Sequence, residues 1–243
     1  MSSPNRYISK LSEQMFSSLT AVEHGAASVV LSSSSRDRVS ASTSRLRESY
    51  PSSACLIDGF VCDLKQERLL EANIEGFFDA ATLIGTRQLN HVVFAAGDHP
   101  TPKPLSEINF NFIKETGLVR FFAPLLIAKH AMNHMAPGPA SSISFTSGIS
   151  AYRPYPDWNA LGAYIGSLEG VVRSLAVEMK PVRINLISLG PVDTDLIAHW
   201  YSTPEARKQG IDAIGNTSAY IYCMKDHNVT ESVINSNGGL LMV

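Results

Sequence analysis

Ser141-Ser-Ile-Ser-Phe-Thr-Ser147 opens the stretch that decides the fold, residues 141–196. A loop follows this β-rich run, and an amphipathic pattern then predicts a helix over residues 159–179. A second apolar run, Arg183-Ile-Asn-Leu-Ile-Ser188, leads into the turn Gly190-Pro-Val-Asp-Thr194. Strand, loop, helix and strand in this order are typical of a crossover unit in a parallel sheet. Because such sheets bind ligands at the carboxyl ends of their strands, we expect the functional site beside these two turns.

Composition limits the class of protein. The chain has 243 residues, of which 44% are hydrophobic and 17% charged, which fits one globular domain over residues 1–243. A net charge of −2 predicts no nucleic-acid partner and no anionic membrane partner. Three cysteines without metal spacing suit buried thiols in a reducing compartment. A polar start without a signal-peptide pattern predicts a soluble, cytoplasmic protein.

Strand-like and helix-like runs alternate along the whole chain. Apolar strands are predicted at 27–31 and 89–94, and a long helix is predicted from about residue 109 to 135. The alternation predicts the α/β class with a doubly wound parallel sheet.

Four motifs, taken together, resemble the short-chain dehydrogenase/reductase family, particularly its fungal members with non-standard active sites. They are Cys62-Asp63-Leu64, Phe94-Ala-Ala-Gly97, the turn Gly190-Pro-Val-Asp-Thr194 and the terminal Gly238-Gly239. The resemblance covers about residues 22–243 and implies a Rossmann-like fold with a nicotinamide cofactor. It further implies that Asp63 lies near the adenine, and that residues from Val192 to Thr194 lie near the nicotinamide carboxamide.

The turn after the first apolar strand favours NADP over NAD as the cofactor. It reads Ser33, Ser34, Ser35, Arg36 and has no acidic residue to bind a ribose 2′-hydroxyl. Hydroxyls and a cation there suit a 2′-phosphate instead. The alternative is an exposed turn in which a serine caps the following helix.

The amino-terminal residues depart from the family pattern. No glycine occurs before Gly25, whereas a dinucleotide fold uses a glycine-rich turn to bring the backbone close to the diphosphate. Apolar spacing over residues 8–22 fits a single helix. We therefore expect the first strand and its glycine-rich loop to be missing or replaced by a helix, either in the protein or through a truncated gene product.

The second departure concerns catalysis. Short-chain dehydrogenases use a Tyr-x-x-x-Lys pair on the helix after the serine-bearing strand. Alignment of that helix puts Leu161 at the Tyr position and Ile165 at the Lys position, and Thr116 stands where the family has a structural Asn. Tyrosine-based proton transfer is therefore not expected here.

Three other residues are the candidate catalytic groups: Asp157, Arg120 and Ser147. Asp157 is expected to stabilise or protonate a cationic substrate such as an iminium ion, and Arg120 to bind a phosphate or carboxylate, which makes it a cofactor-binding candidate too. Ser147 is expected to hydrogen-bond the substrate. The alternatives are a helix cap at Asp157, a surface salt bridge at Arg120 and ordinary turn chemistry at Ser147.

Three further expectations concern a metal ion, the function and the oligomeric state. His130 and His134 have metal-compatible spacing but no evident third ligand, so no metal is predicted. The leading hypothesis is an atypical NADP-dependent oxidoreductase that reduces an imine, iminium ion or carbonyl of a fungal secondary metabolite. The alternative is a catalytically inactive relative that binds a ligand or a partner. The resemblance also implies a homo-oligomer through the helices that begin at Asn109 and Asn159.

Overall fold

The strands of the chain lie side by side in one parallel sheet. A computed structural model describes residues 6–10, 14–83, 87–190, 218–239 and 241–242, with side chains from Ser18 onward. The strands are β1 (Arg6–Lys10), β2 (Ser28–Ser33), β3 (Leu56–Val61), β4 (His91–Phe94), β5 (Ser142–Gly148), β6 (Arg183–Leu189) and β7 (Val233–Ser236). Their order is β3-β2-β1-β4-β5-β6-β7. The order reverses between β1 and β4, where open α/β sheets form their ligand crevice.

Helices connect the strands. They are α1 (Gln14–Glu23), α2 (Arg36–Ser49), α3 (Leu70–Thr82), α4 (Phe110–Gly117), α5 (Ala123–His134), α6 (Asn159–Glu178) and α7 (Ser218–Lys225). A π-helical segment, Leu118–Phe122, joins α4 to α5, so these elements form one long helix. Short 3₁₀ turns occupy Glu67–Leu69, Leu105–Glu107 and Ile149–Ala151.

Two hydrophobic cores cover the two faces of the sheet. Neighbouring residues of one strand enter different cores: Val30 packs with α3, α5 and α6, whereas Val29 packs with α1, α2 and α7. Side chains alternate across a strand, so a sheet covered on both sides needs apolar residues at consecutive positions. The buried runs of β2, β4 and β6 meet this requirement. The predicted doubly wound α/β class is confirmed.

The first strand is present, and the expectation that it is missing is wrong. Arg6–Lys10 forms β1, which pairs in parallel with β2 on one side and β4 on the other. The helix that follows begins at Gln14 rather than near residue 8. Five mostly polar residues give too short a pattern to distinguish a strand from a helix, and the two neighbouring strands decide the outcome. Residues 11–13, where a glycine-rich turn would lie, are outside the described residues and contain no glycine.

Helix α6 is long and apolar, and a membrane-spanning helix has the same two properties. Within the described part of the chain, it is the one helix long and apolar enough to cross a membrane, with a mean hydropathy of 1.2. Its buried residues, including Leu168 and Val172, join the same core as β5 and β6. This placement is typical of a core helix.

A buried polar cluster lies at the amino ends of three adjacent strands. His91, Ser142 and Arg183 begin β4, β5 and β6 and stand beside one another in register. His91 Nδ1 lies 2.9 Å from Ser142 Oγ, and burial lowers the pKa of His91 to about 3. The Arg183 guanidinium, buried at 3% exposure, donates to the backbone carbonyls of Pro139, Cys223, Met224 and Val229. These bonds hold the end of α7 and the chain after it against the sheet.

Candidate active site

A cavity of about 310 Å³ opens at the carboxyl ends of the strands. Residues that follow β3 and β4 line one side, and the long helix and α6 line the other. Its polar lining includes Lys65, Asp98, Thr116 and Arg120, and its apolar lining includes Phe112 and Leu161. The cavity therefore lies at the edge of the sheet where the sequence pattern predicts the site.

The serine-rich turn at the end of β2 fits an anion. Ser35 is the N-cap of α2 and accepts from the backbone N–H of Arg38, so the capping alternative describes this one serine correctly. Ser33 is buried, whereas Ser34 and Arg36 are exposed. Arg38 Nη1 lies 3.5 Å from Ser34 Oγ. Arg36 and Arg38 lie in the first turn of α2, at the positive end of the helix dipole, with Asp37 between them. The two cations outnumber the one carboxylate, and this balance favours a bound anion.

Asp63 follows β3 in a fixed turn. Its carboxylate accepts from the backbone N–H of Lys65 and from Gln66 Nε2, both at 3.0 Å. Its carbonyl accepts from Asn73 Nδ2 at 2.8 Å. These bonds fix the end of β3 beside the end of β2, where Cys62 N donates to Ser33 O at 2.8 Å. Asp63 and the serine turn thus lie on the same part of the edge.

Arg120 lines the cavity and pairs with Asp98. The guanidinium Nε lies 3.1 Å from Asp98 Oδ1, and Nη2 donates to the carbonyl of the same residue. The side chains are 14% and 20% exposed. Lys65 Nζ lies 3.8 Å from the other carboxylate oxygen. The surface salt bridge considered for Arg120 is therefore a half-buried ion pair within the candidate site.

Ser147 has its hydroxyl engaged in the protein. The residue is buried near the end of β5, and its Oγ donates to the backbone carbonyl of Ile165 at 3.3 Å. This bond joins β5 to α6 at the position that the family pattern assigns to its lysine. A substrate contact by Ser147 stays a prediction, and it requires the hydroxyl to change partner.

An apolar cluster contains residues 161 and 165, the positions at which the sequence alignment predicts that the family's Tyr and Lys are replaced. Leu161 and Ile165 are buried with Trp158. Tyr164, the nearest tyrosine on α6, packs instead against Phe121 and Phe122 with ring centroids 5.6 and 6.3 Å away. A Cβ on Gly117 would lie 2.7 Å from the Tyr164 ring, so a glycine there permits the close approach.

Tyr152 and Tyr155 lie in the loop that precedes α6. Tyr152 donates its phenol proton to Glu169 Oε1, and burial together with this bond raises the pKa of Tyr152 to about 12. Tyr155 packs against Trp158 with ring centroids 5.0 Å apart. The loop thus presents an aromatic wall rather than an activated phenol.

Asp157 stands in a strained conformation in the same loop. It is exposed, with a backbone φ of 63° in the left-handed region. Its carbonyl accepts from Lys103 N at 3.0 Å, and Asn159 Nδ2 donates to Lys103 O at 2.9 Å. The capping alternative for Asp157 is wrong, because the N-cap of α6 is Trp158 and no side chain caps it. Asp157 is not among the described residues that line the cavity.

Two site residues fall outside the described part of the chain, and others were not anticipated. Val192 and Thr194 lie in residues 191–217, so their proposed contact with the nicotinamide stays a prediction. Sequence reasoning missed Asp98 and Arg38. Asp98 directly follows the Phe94-Ala-Ala-Gly97 motif at a strand end, which is the signal that points to it.

Two histidines of α5 contact carboxylates of α3. His134 Nε2 lies 3.2 Å from Asp79 Oδ1, and His130 Nε2 lies 3.7 Å from Glu71 Oε1. Among the described residues, no group of three or more His, Cys, Asp or Glu side chains is arranged to hold a metal ion.

Comparisons with known proteins decide the family. The model of the SDR-like Rossmann domain matches residues 9–243. The chain belongs to the short-chain dehydrogenase/reductase family. It is 32% identical to the short-chain dehydrogenase/reductase fsr5 of Gibberella fujikuroi, covering 91% of this chain and 88% of that protein.

Solved structures of short-chain dehydrogenases share the fold. The structure of the MalC reductase/Diels-Alderase from Malbranchea aurantiaca has a TM-score of 0.89 at 28% identity and covers 99% of this chain and 97% of that one. Aligned by sequence, malC is 30% identical over 91% of this chain and 87% of its own length. An NADPH-bound short-chain oxidoreductase from Pseudomonas aeruginosa, with an atypical catalytic center, has a TM-score of 0.80 at 21% identity, covering 97% and 96%.

Short-chain dehydrogenases typically bind a nicotinamide cofactor, and the residues present fit its adenosine half. Ser34, Arg36 and Arg38 offer one hydroxyl and two cations for a 2′-phosphate, and Asp63 lies on the neighbouring strand end. Residues 11–13 lack the glycines that normally approach the diphosphate. Arg120 is the described cation that lines the cavity beside β4.

Proposed function

We propose that this chain is an NADP-dependent short-chain oxidoreductase that reduces an iminium or imine group, or a carbonyl, of a small molecule in fungal secondary metabolism. Support for an oxidoreductase comes from its membership of the family and from fungal relatives that are named short-chain dehydrogenase/reductase. NADP, as opposed to NAD, is supported by the Ser33–Arg36 turn, to which Arg38 adds a second cation.

The apolar cluster of Leu161, Ile165 and Trp158 is the observation that supports an iminium or imine substrate. Reduction of a ketone produces an alkoxide and needs a proton donor in the transition state. An iminium ion carries its proton and its positive charge before reduction, so a site without a tyrosine acid suits it. NADPH, when bound, supplies the hydride.

The residues of the chain then have three tasks. The Asp157 carboxylate stabilises the positive charge of the substrate by electrostatic attraction. Arg120 binds a phosphate of the cofactor or a carboxylate of the substrate. Leu161 and Trp158 provide an apolar wall that keeps water from the reacting carbon.

The test compares a cyclic imine with a ketone of the same shape. We expect the purified chain to oxidise NADPH with 1-pyrroline and to be about 100-fold slower with cyclopentanone, because the ketone lacks a proton donor. Asp157→Ala is expected to lower kcat/KM for the imine by about 100-fold, and Asp157→Glu to recover part of it. Equal rates for both substrates would contradict the iminium proposal, whereas failure to bind NADPH would contradict the oxidoreductase.

A non-catalytic relative is the second candidate. The favouring observation is that the polar groups nearest the family's catalytic positions are engaged within the protein, as Ser147 is with Ile165 and Tyr152 with Glu169. Binding of NADPH without turnover of any imine or carbonyl in a broad panel would favour this candidate.

A further inference from the structure

Asp98 holds the Arg120 guanidinium at two of its atoms. Asp98 Oδ1 lies 3.1 Å from Nε, and the Asp98 carbonyl accepts from Nη2. A guanidinium is planar, so two contacts to the same residue fix both its position and the direction in which its remaining N–H groups point. The family motif before Asp98 gives it no such role, since its four residues end at Gly97.

The backbone at Asp98 and the backbone at Arg120 are both fixed without this ion pair. Leu118 and Val119, which precede Arg120, are buried in the core, and Asp98 follows directly from the buried strand β4. The ion pair is therefore not needed to hold the long helix on the sheet. Its effect is on the side chain of Arg120 at the cavity wall, because the loss of an ion pair lets a long side chain adopt more rotamers.

We propose that Asp98 is a positioning residue that holds Arg120 in the orientation in which it binds the cofactor. This inference rests on the proposed function. Asp98 acts through Arg120. An asparagine at the same place would remove the negative charge of the ion pair but keep the size of the side chain, whereas an alanine would remove both.

The experiment measures NADPH affinity by fluorescence titration in the full chain, with thermal unfolding of each variant beside it. Asp98→Ala and Asp98→Asn are each expected to weaken NADPH about 10-fold, because both remove the charge that pairs with Arg120. Arg120→Met is expected to weaken NADPH about 10-fold. The double variant D98A/R120M should then equal R120M, since Asp98 has no arginine left to position.

The matched control is Glu71→Ala. Glu71 forms an exposed ion pair with Lys129 between α3 and α5, away from the cavity. Its loss is expected to leave NADPH affinity unchanged. A purely structural role for Asp98 would lower the melting temperature of D98A without changing the affinity of the folded fraction.

The outcomes separate this inference from the proposed function. Wild-type affinity in D98A overturns the positioning role alone, and so does a double variant about 100-fold weaker than wild type, because independent effects multiply. Wild-type affinity in D98N also overturns it, because the charge of Asp98 would then not hold Arg120. A wild-type chain that binds no NADPH overturns the proposed function and this role with it.

Discussion

At the amino edge of the sheet Arg183 is 3% exposed and donates to four backbone carbonyls, whereas at the carboxyl edge Arg120 lines a cavity and shares Asp98 with Lys65. Both arginines lie in the same domain and both are largely removed from water. The first meets only groups of the protein and serves the fold. The second faces a space that a ligand can enter, so we propose a binding role for it.

The largest expected difference between Arg183 and Arg120 is in how much each side chain stabilises the folded protein. Arg183→Met should lower the free energy of unfolding by about 3–5 kcal/mol, because it leaves several buried carbonyls without a donor. Arg120→Met should cost about 1 kcal/mol or less, since water can enter the cavity. Urea denaturation of both variants measures this, and equal losses would contradict the functional contrast between the edges.

The next effect concerns the cofactor at the carboxyl edge. The double variant R36A/R38A should weaken NADPH about 10- to 100-fold and leave NADH affinity unchanged, because charge-assisted bonds to a 2′-phosphate are lost. Arg45→Ala, an exposed arginine of the same helix, is the control. Isothermal titration with both cofactors measures the difference. A parallel loss of NADPH and NADH affinity would show that the turn does not select the 2′-phosphate.

The sequence predicts some elements of the fold and not others. The helix expected over 159–179 and the strand expected over 183–188 are Asn159–Glu178 and Arg183–Leu189, because local apolar periodicity determines long elements. Strand β1 was mistaken for helix, because its identity depends on pairing with β2 and β4, which are distant in sequence. The ion pair between Asp98 and Arg120 spans 22 residues and leaves no local pattern.

The candidate site was predicted in its location but not in its contacts. The carboxyl edge follows from strand order, and the loss of the Tyr and Lys stays a prediction from the alignment of α6. The hydrogen bond from Ser147 to Ile165 and the left-handed backbone of Asp157 arise from tertiary packing. Sequence reasoning therefore proposed candidate residues and could not assign their partners.

A smaller effect of pH should originate at the amino edge. The pKa of His91 is lowered to about 3 by burial first and by the charges of Arg183 and His227 second. Between that value and the ordinary value of about 6.5 the unfolded chain binds the proton and the folded one does not, so stability falls as pH falls. From pH 7.5 to pH 5.5 the expected loss is about 1.4 kcal/mol.

The comparison that isolates His91 uses His91→Asn. The variant should lose about 1.4 kcal/mol less than the wild type over the same two pH units, when both are measured by urea denaturation. Identical pH slopes would mean that His91 titrates alike in the folded and unfolded states. The His91→Asn substitution should leave NADPH affinity unchanged, because the cavity lies at the opposite edge of the sheet.

The smallest expected change comes from Asp157, whose φ of 63° costs a non-glycine residue about 1 kcal/mol. Asp157→Gly should raise the free energy of unfolding by about 0.5–1 kcal/mol, because glycine adopts this conformation freely. The same variant should lose imine reduction. Differential scanning calorimetry and the NADPH assay measure the two changes, and a destabilised variant would show that Asp157 is not strained.

The strain at Asp157 has a practical consequence for anyone who evolves this protein in the laboratory. A library selected for heat resistance alone would accept glycine at position 157 among its early gains. Under the role proposed for Asp157, the surviving variants would fold well and would not reduce the imine. Selection for turnover has to accompany selection for heat resistance from the first round.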